Sequence, residues 1–77
     1  MEELTESQNI IFNAIKEFIE EYGYSPTVRE IAGITKRHSP ATVHAAIKIL
    51  KRKGYIDYEY NKNRTLRIVK EDSDGKM

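Results

Sequence analysis

Three helix-starting signals within the first forty residues constrain this chain more than any other feature. Thr5 is followed three residues later by Gln8, and Thr27 by Glu30. This is the spacing of a capping box, in which each side chain satisfies a backbone donor that the helix leaves unpaired. The third signal is Ser39-Pro40: a serine suited to the N-cap, then a proline at the first helical position, where its missing N–H costs nothing. Gly23 supplies a left-handed terminator after the first run, and Gly54 stands just past the end of the third. A chain punctuated in this way builds helices of defined length, and 77 residues limit it to one small domain with a thin core.

Between these signals the apolar residues recur at helical spacing. Ile11, Phe12, Ile15, Phe18, Ile19 and Tyr22 predict a first helix over residues 6–22, whose other face carries Glu17, Glu20 and Glu21. Ser25-Pro26 keeps the chain extended, because a residue before proline is pushed out of the helical region. A short second helix over about residues 28–34 follows, with Val28, Ile31 and Ile34 as its stripe, and Thr35 to His38 reads as a turn. The third helix places Val43, Ala46, Ile47 and Leu50 toward the core.

Beyond Gly54 the period changes to two. Ile56, Tyr58 and Tyr60 alternate with Asp57 and Glu59, Thr65 to Val69 surrounds Leu66 and Ile68 with β-branched residues, and Asn61 to Arg64 is a turn cluster of hairpin length. Tyr22, Tyr55 and Tyr58 lie where packing is expected. The fold class is therefore mainly α with a small β-hairpin, a three-helix winged helix-turn-helix over residues 4–70. Residues 71–77 lack any period and read as a disordered acidic tail or the start of a linker.

Charge is sorted along the chain. Residues 33–70 hold ten Lys/Arg against two acids, and residues 1–32 hold two against seven, so a net charge of +1 conceals a basic half suited to polyanions. The absence of cysteine excludes disulfide scaffolds, thiolate zinc sites and thiol nucleophiles. Met1 is followed by two glutamates and no long apolar run exists, so neither a signal peptide nor a membrane span is expected, and the protein should be soluble and cytoplasmic. His38 and His44 stand six residues apart without a companion carboxylate, so neither a metal nor any other cofactor is expected. No pair of groups suited to acid, base or nucleophile work can be nominated, which argues against an enzyme.

The core stripe of the third helix leaves an opposite arc of Ala41, Thr42, His44, Ala45 and Lys48, with Lys51 and Arg52 a turn further on. Recognition helices present their amino-terminal residues to base edges, and small side chains allow close approach to a groove and contact with a thymine methyl. Ser39, Ala41, Thr42, His44 and Ala45 are thus the candidates for reading bases. Arg37, His38, Lys48, Arg52, Lys62 and Arg64 are the candidates for the DNA backbone, with Arg64 at the wing tip also able to enter the minor groove.

These residues resemble the amino-terminal DNA-binding domain of LexA repressors. The likeness rests on Leu4-Thr5 with Gln8, Phe12 and Ile15; on Gly23-Tyr24-Ser25-Pro26-Thr27; on Arg29-Glu30-Ile31-Ala32; on Ser39-Pro40, Val43 and Leu50; and on Lys53-Gly54 with Ile56. It covers about residues 4–69 without an obvious gap. The resemblance implies repression of DNA-damage-response genes by dimers on palindromic operators, with the third helix in the major groove. It puts Ser39, Ala41, Thr42, His44 and Ala45 at the base-reading positions and Arg64 at the wing position.

Two departures accompany it. Where the family usually closes the second helix with leucine and then glycine, this chain has Thr35-Lys36. Nothing in the 77 residues encodes the self-cleaving protease domain with its Ser-Lys dyad, so the chain is expected to be either an excised domain or a small stand-alone regulator. Two other classes remain open: a winged-helix protein-interaction module, suggested by the acidic first helix, and a single-stranded nucleic-acid binder using Tyr58, Tyr60 and the basic wing.

Overall fold

The computed structural model describes residues 4–36, 38–60, 62 and 64–70. Arg37, two asparagines of the turn cluster and the expected acidic tail at 71–77 lie outside these residues. Three helices are followed by a hairpin: α1 (Glu6–Tyr22), α2 (Val28–Thr35), α3 (Pro40–Arg52), β1 (Ile56–Asp57) and β2 (Arg67–Ile68). The strands are antiparallel, with Ile56 opposite Ile68 and Asp57 opposite Arg67. No helix of the described residues is long and apolar enough to cross a membrane.

Each predicted start signal works as its chemistry requires. The Gln8 N–H donates to Thr5 Oγ1 at 3.2 Å while the Thr5 N–H donates to Gln8 Oε1 at 3.0 Å. The same reciprocal pair joins Glu30 and Thr27 at 3.2 and 2.9 Å. Ser39 Oγ accepts from the Thr42 N–H at 3.2 Å, with Pro40 opening the helix. Gly23 and Gly54 take the left-handed backbone at φ 79° and 88°.

Helix α2 ends differently. Lys36, at φ 60°, occupies the left-handed cap position and donates its N–H to Ala32 O at 2.9 Å. Helix α2 is thus closed without a glycine at its cap, at the steric cost of a side chain in that region.

The core gathers Ile11, Phe12 and Ile15 of α1, Ile31 of α2, Val43, Ala46, Ile47 and Leu50 of α3, and Tyr55, Ile56 and Leu66 of the hairpin segment. Phe12 meets Tyr55 edge-on at 5.4 Å between ring centroids. Three packing expectations need correction. Ile34 is 50% exposed, because α2 turns Val28, Ile31 and Ala32 to the core and Ile34 stands about 200° around the helix from Ala32. Tyr22 is 56% exposed; it leaves the core and joins Phe18 and Tyr24 in a satellite aromatic cluster, with centroids 4.5 and 6.0 Å away.

The third correction concerns the wing. Its alternation does not extend to Tyr60, which is exposed, and the ladder stops at Asp57 because side chains take the next backbone donors. The Tyr58 N–H donates to Asp57 Oδ1 at 2.8 Å and the Glu59 N–H to Thr65 Oγ1 at 2.9 Å. A two-residue ladder is marginal on its own, so the wing is held by packing of Ile56 and Leu66 and by hydrogen bonds to the helical body. One of these runs from the Leu66 N–H to the buried Ser25 Oγ at 3.0 Å.

Candidate nucleic-acid interface

Burial of Val43, Ala46, Ile47 and Leu50 fixes the rotation of α3 and leaves Ala41, Thr42, His44, Ala45, Lys48, Lys51 and Arg52 exposed with Ser39 and Pro40 at its start. The five candidate base-reading residues therefore share one surface. Ser39 Oγ donates to Thr42 Oγ1 at 3.1 Å, so the Thr42 hydroxyl keeps its own proton to give. His44 makes no hydrogen bond among the described residues and lines a groove of about 400 Å³ between α3, the start of α2 and the wing. Thr27, Val28, Tyr58, Tyr60 and Lys62 are also in its walls.

The cations near this surface divide into two groups. Lys48 and Arg52 are exposed and have no intramolecular partner among the described residues. Lys51, by contrast, is committed to the wing: its Nζ donates to Tyr58 O at 3.1 Å, lies 3.5 Å from Asp57 Oδ1 and sits 4.6 Å from the Tyr58 ring centroid. Arg67 pairs with Asp57 Oδ2 at 2.8 Å, and Lys62 with Glu59 at 3.4 Å in an exposed pair. The Asp57 carboxyl is held below the usual aspartate range, first by the Tyr58 N–H, then by the charges of Arg67 and Lys51.

Two candidate backbone contacts sit differently from the sequence expectation. His38 turns toward α1, with Nε2 3.4 Å from Ser7 Oγ and Nδ1 buried without a partner among the described residues. Arg64 is folded back onto the helices. Its Nη1 donates to Ser25 O at 3.0 Å and to Glu30 Oε1 at 3.1 Å, its Nη2 donates to Glu30 Oε2 at 3.0 Å, and its guanidinium lies 5.0 Å from the Tyr24 ring centroid. The pairing lowers the Glu30 pKa, mainly through the hydrogen bond from Arg64 and then that from the Thr27 N–H, and raises that of Arg64. Arg37 lies outside the described residues.

The sequence reading treated Glu30 as a cap alone and gave Ser25 and Tyr24 no functional part. Their convergence on Arg64 spans 34 residues from Glu30 and 39 from Ser25, and no local period or spacing signals it.

The sequence pattern of the LexA DNA binding domain family matches residues 1–65. The LexA repressor of Desulfatibacillum aliphaticivorans is 44% identical over 70 residues, which make up 91% of this chain and 34% of that protein. The LexA repressor of Staphylococcus aureus strain Newman is 39% identical over 77 residues, covering all of this chain and 37% of the relative. The chain thus spans about a third of the length of these curated relatives. With three helices, a wing and this match in agreement, the chain belongs to the LexA DNA-binding domain family.

Proposed function

We propose that this chain binds double-stranded DNA sequence-specifically, as the operator-reading module of a LexA-like transcriptional repressor acting in the cytoplasm, and performs no catalysis itself. In this reading α3 enters the major groove, and the wing follows the backbone or the adjacent minor groove. The observation that carries the reading is the exposed arc of Ser39, Ala41, Thr42, His44 and Ala45, bordered by Lys48 and Arg52, which have no partner among the described residues. Thr42 and His44 would offer hydrogen bonds to base edges, and Ala41 and Ala45 would admit close approach and meet thymine methyls. Lys48, Arg52, Lys62 and Arg37 would take phosphates; His38, facing Ser7, would join them only by turning outward.

A single module of this kind buries roughly 600–1,000 Å² and holds one half-site weakly. A palindromic operator filled by two copies would raise the affinity, and the half-site spacing would report the dimer geometry. Contact with about five phosphates would give a salt slope of about −4 to −5.

Selection of duplexes from a random pool, followed by titration of the winners at several salt concentrations, tests the reading. A consensus sequence whose recognition is lost on T42A/H44A is the expected result. Recovery of no consensus, or binding indifferent to salt, would sink it. The exposed Tyr60 beside Lys62 favours one competing reading, single-strand binding by base stacking. Competition with an unpaired oligonucleotide separates the two, since a stacking site prefers the unpaired strand.

A further inference from the structure

Arg64 stands at the wing position of the family, yet its side chain, still 43% exposed, is folded back onto Ser25 and Glu30. The two terminal guanidinium nitrogens, Nη1 and Nη2, meet the two oxygens of Glu30, a bidentate arrangement that fixes direction as well as distance. One nitrogen also donates to Ser25 O, and the Tyr24 ring lies against the guanidinium. The receptor is set in advance, because Glu30 Oε1 already accepts from the Thr27 N–H that opens α2. Two residues further along, the Leu66 N–H reaches the Oγ of the same Ser25 and its side chain is buried. Arg64 also takes φ 58°, a conformation uncommon for residues other than glycine, and it does so where its side chain meets these partners.

We propose that Arg64 is a positioning residue of the DNA site: it locks the wing onto the amino-terminal end of α2 and does not itself touch the duplex. The role in binding rests on the DNA-binding reading above, whereas the lock is a property of the free protein. The groove beside His44 has Thr27 and Val28 on one wall and Tyr58, Tyr60 and Lys62 on another, with Arg64 itself in the lining where the two walls meet its ion pair. Its width is therefore set by how the wing is tied to the helices, and Arg64 makes the charged tie to α2 beside the Leu66 N–H bond to Ser25. A guanidinium withdrawn to bind phosphate would leave the Glu30 carboxylate unneutralised beside the same phosphates.

The test compares the wild-type protein with E30Q, R64A, the double variant and K48A. Duplex affinity is measured at several salt concentrations, and amide hydrogen exchange of Leu66 in the free protein. Glutamine still completes a capping box, so E30Q removes the charged pair while preserving the start of α2. Locking predicts that E30Q and R64A each weaken binding about tenfold and that the double variant loses no more than about twofold beyond either single. The salt slope of R64A should stay within about half a unit of wild type, whereas K48A lowers it by about one. Leu66 should exchange about tenfold faster in both single variants.

Direct contact predicts the opposite sign at Glu30. Freed from its partner, Arg64 would bind DNA more tightly in E30Q, R64A would lose about one unit of salt slope, and Leu66 protection would persist; that pattern overturns the proposal. Should R64A fail to fold, E30Q alone decides, by the sign of its affinity change and by Leu66 exchange. Should the wild-type protein favour no duplex, the DNA reading falls but the lock is still judged, and unchanged Leu66 exchange in E30Q and R64A overturns it.

Discussion

Helix α3 and the wing are both rich in cations, yet they spend them in opposite ways. On α3, Lys48 and Arg52 face solvent without a partner among the described residues, and the amino-terminal arc beside them carries no Lys, Arg, Asp or Glu. In the wing Arg64 is held by Glu30 and Arg67 by Asp57, and Lys51 is drawn off α3 to Tyr58 and Asp57, whereas the exposed Lys62–Glu59 pair leaves Lys62 open to solvent. The difference follows from what holds each element. Helix α3 is ordered by its cap and by four buried side chains, so Lys48 and Arg52 are not needed to hold it. The wing has two-residue strands and needs ion pairs and side-chain hydrogen bonds to keep its shape. A count of lysines and arginines therefore overstates how many are available to phosphates.

The largest expected effect probes the two ways of being held. L50A, deep in α3, should cost about 2–5 kcal/mol in denaturant unfolding, and L66A, at the rim of the core, should lie at the lower end, near about 2 kcal/mol. Equal losses would mean that the wing is as tightly built into the core as the helix.

Next in size is the charge contrast itself. K48A/R52A should lower the salt slope of duplex binding by about two units and the affinity by at least about tenfold, while R67A, whose partner is Asp57, should leave the slope within about half a unit. A large slope change for R67A would show that the wing pair opens on DNA.

Acid offers a way to release the wing alone. Glu30 and Asp57 both have folded pKa values below their ordinary values of 4.5 and 3.8. Each therefore contributes stability that is present above its ordinary value and is lost as the pH falls through the lowered one. Wing amide signals in NMR spectra, Leu66 foremost, should lose dispersion as the pH drops below about 4.5, while the far-ultraviolet helical signal persists further down. Simultaneous loss of both would make wing and helices one cooperative unit.

The smallest effect lies in the turn that aims α3. Lys36 holds a left-handed backbone at φ 60°, so K36G should raise thermal stability by about 0.5–1 kcal/mol. A destabilised K36G would show that the lysine side chain contributes more than its backbone strain takes away.

Much of the helical part was legible along the chain. Capping boxes, N1 proline and terminal glycines act between residues three or four positions apart, and the helix limits they predicted at α1 and α3 match the structure. The rotation of α3 was equally readable, since periodic burial of Val43, Ala46, Ile47 and Leu50 dictates the exposed arc. Tyr22 and Ile34 were misread because apolar spacing says which residues share a face and not how far the neighbouring helices reach along it. The pairing of Arg64 was not legible in the sequence because its three partners, Tyr24, Ser25 and Glu30, come from segments 34 or more residues away.

Helices, caps and the uncharged arc of α3 follow from interactions between near neighbours, whose geometry is the same wherever the chain folds. Whether Arg64 is committed, how wide the groove beside His44 stands, and where the wing is anchored depend on contacts across 34 to 41 residues. Such contacts exist only once the core has brought α2 and the wing together, because ion pairs and hydrogen bonds between distant segments have no geometry in the unfolded chain.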